Sequence, residues 1–389
     1  MHNRQRIEVI LGIVACLVVC TSCAGPMDPF GAKPLLGPTL SALELQETNF
    51  EQLNIDPKEA LINTRAPAST NTASIHFYPP RKLWHRSFDL TVTIRDEAGL
   101  DENSKIHFFY DGEDVTARVI SYARSQYSGD DKEVKFVIPA FRLLPEQDRA
   151  LVVTYAKLDP MGNDQIFGKV YEEPYCPMKD LQTIASNTNL KGFNASEKVL
   201  EQIKTLSAFN QMNPALIAGL IAQESSFDPR AVSTAKALGL TQITAPAETH
   251  VLEDLGERAA LWPRYPGISK MNPLRIKALI ALGRINENNE WRLAHDRSIQ
   301  GGIAYLKYIE QYWNSFSPMV QRQLASMDPE RRQSEIVDLI LASYNSGPYR
   351  VRRNLDRLGT NWLSANNLGE ARKYVHNVKS YCYDFARGY

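Results

Sequence analysis

The stretch Asn213-Pro214-Ala215-Leu216-Ile217-Ala218-Gly219-Leu220-Ile221-Ala222-Gln223-Glu224-Ser225-Ser226-Phe227 decides the fold of the C-terminal half of this chain. Asparagine followed by proline reads as a helix N-cap with proline in the first turn, where a backbone N–H is not needed. No residue from Met212 to Gln223 is charged, so Pro214–Ser225 is expected to form a helix buried on almost all sides. Glu224 interrupts that run close to its C-terminal end. Apolar surroundings and the negative end of a helix dipole both disfavour a carboxylate charge, so its pKa is expected to rise. A carboxyl that stays protonated near neutral pH can serve as a general acid. The plain alternative is a solvated glutamate at a helix end.

Ser233 follows Glu224 at nine residues and Gln242 follows Ser233 at nine more, within Glu224-Ser225-Ser226-Phe227-x-Pro229-x-Ala231-x-Ser233 and Ala237-x-Gly239-Leu240-x-Gln242. Farther along stand Ser343-Tyr344-Asn345-Ser346-Gly347-Pro348-x-Arg350-Val351 and Glu370-Ala371-Arg372-x-Tyr374-Val375. One such motif says little; four in this order carry specific information. Together they resemble the lytic transglycosylase family with the soluble-lytic-transglycosylase type of catalytic domain, which shares the lysozyme-like fold. The resemblance covers roughly residues 196–389. This chain departs from the pattern at two positions. Lys236 stands where the family usually has glycine, and Thr241 where it usually has methionine. Both are expected near the cleft, and Lys236→Gly is expected to change substrate preference more than stability.

The resemblance implies a mechanism with one carboxyl group. Glu224 would protonate the β-1,4 glycosidic oxygen between N-acetylmuramic acid and N-acetylglucosamine in peptidoglycan. The substrate's own N-acetyl group would stabilise the anomeric carbon, and Glu224, now a base, would help the 6-hydroxyl close a 1,6-anhydro ring. Tyr344 would hydrogen-bond near Glu224 or the N-acetyl group. Ser233, Gln242 and Asn345 would bind sugar groups, with Glu370 a further cleft residue. No metal or cofactor is needed. The plain readings are a buried aromatic for Tyr344 and a helix-capping or ion-pairing role for Glu370. Asp228, followed by Pro229, reads as a surface turn rather than a second carboxylate. Two other functions stay open: a lysozyme-like hydrolase on the same fold, and a non-catalytic peptidoglycan-binding scaffold.

The 389-residue chain is long enough for two domains. Its formal net charge of zero gives no sign of a nucleic-acid-binding surface. Residues 1–23 read as a signal peptide: Arg4 and Arg6 precede an apolar run at 10–19, too short for a comfortable membrane span. Two cleavage readings compete. Cys20-Thr21-Ser22-Cys23 resembles a bacterial lipoprotein signal with Cys23 lipidated, and Ser22-Cys23-Ala24 also fits a small-x-small cleavage site. Both place the protein in the cell envelope. Ala24 after Cys23 resembles lipoproteins of the outer membrane, with membrane contact only through the lipid.

Residues 24–72, rich in proline and small polar residues, read as a tether with a short helix around 41–52. Alternation in Phe88-Asp89-Leu90-Thr91-Val92-Thr93-Ile94 and Val134-Lys135-Phe136-Val137-Ile138 predicts strands. So do Lys105-Ile106-His107-Phe108-Phe109-Tyr110 and Leu151-Val152-Val153-Thr154-Tyr155. Residues 73–168 are therefore expected to form an all-β sandwich, and its phrases resemble bacterial immunoglobulin-like domains. It shows no catalytic constellation. His76, His85 and His107 read as structural or exposed rather than metal-ligating. Its expected role is spacing, docking or wall adhesion, with a cell-envelope protein as candidate partner.

A linker over 169–195 precedes the mainly α-helical domain at 196–389. There Ser196 is expected to cap a helix, 299–316 to form another, and Gly347-Pro348 to end the helix that carries Tyr344. About fifty residues separate Gln242 from Asp296, more than the family usually has. This insertion holds Trp262-Pro263-Arg264-Tyr265-Pro266, either an aromatic subsite wall or a surface elaboration with a small core of its own. Once the signal is removed, Cys176 and Cys382 remain in an oxidising compartment, either as a disulfide or as two buried thiols.

Overall fold

The computed structural model describes residues 73–100, 104–128, 130–145, 149–158, 164–179, 193, 195–315, 324–325 and 327–387. The expected signal peptide with Cys23, the tether and its short helix lie outside the described residues.

The described residues between 73 and 170 form eight strands and one short helix. These are β1 (Ala73–Tyr78), β2 (Phe88–Asp96), β3 (Lys105–Tyr110), β4 (Glu113–Asp114), α1 (Thr116–Tyr122), β5 (Arg124–Tyr127), β6 (Glu133–Phe141), β7 (Leu151–Leu158) and β8 (Asp164–Val170). They build two four-stranded antiparallel sheets, ordered β1-β2-β6-β5 and β4-β3-β7-β8. Every second residue turns inward, as the pleat dictates. Leu90, Val92 and Ile94 of β2 and Val134 and Ile138 of β6 meet Phe108, Leu151, Val153 and Tyr155 of the other sheet in one buried core. A turn at Asp111-Gly112 joins β3 to β4.

Strand β8 runs to Val170, past the boundary expected at 168, and Tyr171 is still buried in the sandwich core. By Cys176 and Met178 the chain has entered the helical core. Little of the expected linker's first part is therefore free of both domains.

The C-terminal half contains α2 (Glu197–Phe209), α3 (Pro214–Ser225), α4 (Ala245–Leu255), α5 (Pro273–Ala281), α6 (His295–Ser315), α7 (Pro329–Ser346), α8 (Pro348–Leu358) and α9 (Gly369–Arg387). Local chemistry starts α2 and α3 as expected. Ser196 Oγ accepts from Val199 N at 3.3 Å, and Asn213 Oδ1 accepts from Ala215 N at 2.9 Å with Pro214 beginning the helix. Helix α3 is buried from Pro214 through Ala222. It packs along α9 so closely that a Cβ on Gly219 would lie 2.9 Å from the backbone N of Cys382 and O of Val378. Only glycine admits that approach.

Helix α9 is shared by the two domains. Its other side meets the sandwich: the Trp84 and His376 rings stack at 4.2 Å, and Trp84 N donates to Ser380 Oγ at 3.1 Å. His85 and Arg86 each lie 3.1 Å from Asp384, and Tyr383 is part of the sandwich core. Cys176 and Cys382 are joined by a disulfide, with their Cα atoms 6.1 Å apart.

Candidate active site

Glu224 lies one residue before the end of α3. The chain then leaves the helix through two successive left-handed residues, Ser226 at φ 50° and Phe227 at φ 64°. Phe227 is held by edge-on contacts with Phe193 and Phe385. Ser225 Oγ donates to Leu240 O at 2.8 Å and ties the helix end to the following loop. Burial raises the Glu224 carboxyl to a pKa of about 8. The residue as a whole keeps an edge open to solvent, so the desolvation comes from the walls close around its carboxyl. The opposing influence is the Tyr374 hydroxyl, which donates to Glu224 Oε1 at 2.6 Å.

Tyr374 is thus the tyrosine bonded to Glu224. Tyr344 Oη donates instead to the backbone O of Thr241 at 2.8 Å. Its ring stands edge-on to Tyr305 at 5.2 Å and parallel to Tyr374 at 6.4 Å, so it forms the next layer behind the pair. Burial first, then the neighbouring Glu224, holds both hydroxyls well above the ordinary tyrosine range. They remain neutral donors at any working pH. One turn after Tyr374, Asn377 Nδ2 donates to Gln223 Oε1 at 3.0 Å and fixes the register of α9 on α3.

The loop between Ser226 and Ile243 holds the remaining expected residues, and most of their polar atoms support the loop itself. Ser233 Oγ accepts from Ala237 N at 2.9 Å, closing a turn. Gln242 is buried in a left-handed conformation at φ 49°, and its Nε2 donates to Gly239 O at 2.8 Å and Ala231 O at 3.2 Å. At Gly239, φ 75°, a Cβ would lie 1.8 Å from Arg292 O, so no side chain fits. Several left-handed non-glycine residues around one carboxyl mark a loop held in shape by its surroundings. Asn345 Oδ1 accepts from Ser346 Oγ at 3.0 Å. Glu370 is exposed in the first turn of α9, where a carboxylate favours the helix dipole. Asp228 is exposed, and its Oδ1 accepts from Arg230 N at 2.8 Å as a turn residue does.

The two departures from the family pattern have separate physical accounts. Thr241 does not face the cleft: it is buried, its Oγ1 donates to Ser298 O at 2.8 Å, and its methyl fills the space left by Gly302. Lys236 is left-handed at φ 63°, a conformation that favours glycine, and its Nζ donates to Ser269 O of the insertion at 2.8 Å. Glycine at 236 relieves backbone strain but loses that clasp and gains freedom when unfolded. Lys236→Gly is therefore expected to change stability by less than about 1 kcal/mol. A urea-midpoint shift equivalent to more than about 2 kcal/mol would contradict this.

The insertion packs a small core of Ile268, Ile276, Ile280, Ile285 and Leu293 against Val232 and Leu238 of the preceding loop. Trp262 is buried against Trp291 at 4.7 Å, so its ring is spent on packing. A fully buried Glu290 pairs with Arg292 at 2.7 Å and accepts from Tyr265 N at 3.2 Å, tying the middle of the insertion to its C-terminal end.

Tyr374 is the residue that motif reading missed as a partner of Glu224. The signal was present: Ala371, Tyr374, Val375, Val378 and Cys382 share the helix-spaced, buried stripe of α9, and Tyr374 carries the polar atom nearest its start. Because the Tyr374 hydroxyl favours the charged form of Glu224, Tyr374→Phe is expected to move the Glu224 midpoint upward from about 8, by roughly one pH unit for one lost hydrogen bond. Carbon-detected NMR titration of the glutamate carboxyls reads this directly; a midpoint that stays or falls would refute it.

Residues 201–261 match the family described as Transglycosylase SLT domain. No curated protein matches the chain. Among solved structures, it is similar to the 70 kDa soluble lytic transglycosylase from Escherichia coli, 21% identical over 48% of this chain and 24% of that one, with a TM-score of 0.31. It is likewise similar to an inactive mutant of the lytic transglycosylase Slt from Pseudomonas aeruginosa, 21% identical over 49% of this chain and 24% of that one, with a TM-score of 0.30. The chain thus spans about a quarter of the length of these solved relatives.

Proposed function

We propose that this chain is a peptidoglycan lytic transglycosylase with Glu224 as its acid and base. The observation that carries the reading is the pairing of the Glu224 carboxyl, raised to about 8 and lying in the segment that matches the transglycosylase family, with the Tyr374 hydroxyl at 2.6 Å. Glu224 is protonated at neutral pH and gives its proton to the glycosidic oxygen as the C1–O4 bond breaks. The substrate's N-acetyl oxygen takes up the positive charge at C1. The Glu224 carboxylate, steadied by Tyr374, then receives the proton of the muramyl 6-hydroxyl while O6 bonds to C1. The carboxyl is regenerated, and the product ends in 1,6-anhydro-N-acetylmuramic acid with no water consumed.

A second carboxylate beside Glu224 would be the mark of an ordinary glycosidase. Among the described residues the influences on Glu224 are burial and Tyr374, and Asp228 is an exposed turn residue. That supports the single-carboxyl route over a hydrolase. Tyr344, Ser233, Gln242 and Asn345 shape the cleft wall in this reading, chiefly by fixing the loop. Glu370 is left at the rim.

The sheet orders β1-β2-β6-β5 and β4-β3-β7-β8 support an immunoglobulin-type sandwich, and its grip on α9 suits a domain that braces the helix carrying Tyr374. Segment 1–23 would deliver the enzyme to the cell envelope and Cys23 would anchor it to the outer membrane.

The test is mass spectrometry of fragments released from purified peptidoglycan, with Glu224→Gln as control. Anhydromuramyl ends that disappear in the variant are expected. Reducing muramyl ends would replace this reading with a hydrolase, and an absence of products with retained binding would replace it with a scaffold.

A further inference from the structure

The chain as a whole is neutral, yet residues 258–286 of the insertion contain six basic side chains and no acidic one. Arg258, Arg264, Lys270, Arg275, Lys277 and Arg284 are all exposed. None of their charged groups enters an ion pair with a described residue.

Helix α5 lies in the middle of this stretch and is apolar on two sides. Ile276 and Ile280 face inward and are buried in the insertion's core. At 3.6 residues per turn, Leu274, Ala278 and Ala281 fall on the opposite side, and all three are exposed. Leu274 is 77% exposed, and Leu282, just past the helix, is 74% exposed. Arg275 and Lys277 flank this outer stripe, one on each side. Leu261, also 74% exposed, belongs to the same acid-free stretch.

A scattered exposed leucine needs no explanation, but an exposed apolar helix face, Leu274 with Ala278 and Ala281 and Leu282 just beyond, bordered by unpaired cations does. Soluble polyanions would use the cations and leave the leucines in water. A lipid surface with anionic headgroups uses both: leucines enter the headgroup–acyl boundary while flanking lysine and arginine stay with the phosphates. We propose that the outer face of α5 is a membrane-docking surface for anionic phospholipid. Such a helix lies in the interface and does not span it. No helix among the described residues is long and apolar enough to cross a membrane.

The surface is rigidly joined to the cleft. Ile276 shares a core with Val232 and Leu238, and Lys236 Nζ holds Ser269 O. Docking through α5 would therefore fix the distance between Glu224 and the lipid, independently of any chain anchored upstream.

The experiment uses the full chain carrying Cys23→Ser, so that lipid attached there plays no part. Sedimentation with vesicles of phosphatidylglycerol mixed with phosphatidylcholine is compared with phosphatidylcholine alone. Binding to the mixed vesicles is expected. Leu274→Ser with Leu282→Ser should weaken it by about tenfold or more. Arg275→Glu with Lys277→Glu should remove the preference for the anionic lipid. Both variants alter exposed positions, so an unchanged melting curve confirms that each is folded. Failure to bind the mixed vesicles, or equal binding by both variants, overturns the proposal. A concentration-dependent dimer that dissolves in the leucine variant would assign the face to a second copy and overturn it as well.

Discussion

Glu224→Gln is expected to abolish glycan cleavage almost entirely while making the protein more stable at neutral and alkaline pH. Loss of a general acid–base group costs about 10²–10⁴-fold in rate, and among the described residues no second carboxyl beside Glu224 stands ready to replace it. The stability gain follows from the same burial. The carboxyl titrates near 4.5 when unfolded and near 8 when folded. Below 4.5 it is protonated in both states and its full contribution is present. Between 4.5 and 8 the folded state holds the proton and the unfolded state does not, so stability falls as pH rises. Above 8 the native protein carries a buried anion and the loss is complete. Glutamine never ionises and escapes this decline. Allowing for the solvent that reaches the residue, the difference at pH 9 should be about 2–4 kcal/mol, and it should vanish near pH 4. Urea unfolding of the two proteins across that range reads it. A glutamine variant that loses stability with pH as steeply as the parent would place the decline elsewhere and remove the argument for a raised carboxyl.

Removal of the Cys176–Cys382 bridge is the second large effect. The two cysteines are separated by 206 residues, so the bridge restricts most of the helical domain in the unfolded chain. A loop of this size is worth about 3–5 kcal/mol on chain-entropy grounds. The bridge also acts at a specific place: Cys382 lies on α9 where Gly219 of α3 comes closest, eight residues beyond Tyr374. Cys176→Ala with Cys382→Ala should lower the urea midpoint by that amount, and reductant should lower the parent but not the variant. Two alkylatable thiols in the native protein, or a parent indifferent to reductant, would show that the bridge does not form in solution.

Much of the fold was legible because local chemistry and burial agree. Asn213-Pro214 starts α3 and an uncharged run keeps it buried, so both its ends and its environment could be read from one stretch. Strands β2 and β6 followed from alternation, since one face of each is core and the other is not. The end of the sandwich was harder. Tyr171 lies beyond the last strand yet fills the sandwich core, and no periodicity marks a single residue that packs from a connecting segment.

At the site, the sequence placed Glu224 at the end of a helix expected to be buried, with a proton expected to be hard to remove. That conclusion needs only local neighbours and the dielectric they impose. The tertiary structure alone decided which tyrosine meets it. Tyr344 and Tyr374 stand on different helices, and the choice between them depends on how closely α9 approaches α3 at Gly219. It likewise decided that Thr241 and Trp262 turn into the interior, and that Ser233 and Gln242 use their polar atoms to hold a strained loop. Those outcomes arise from contacts across long stretches of chain, where competing partners are separated by small differences in packing rather than by residue type.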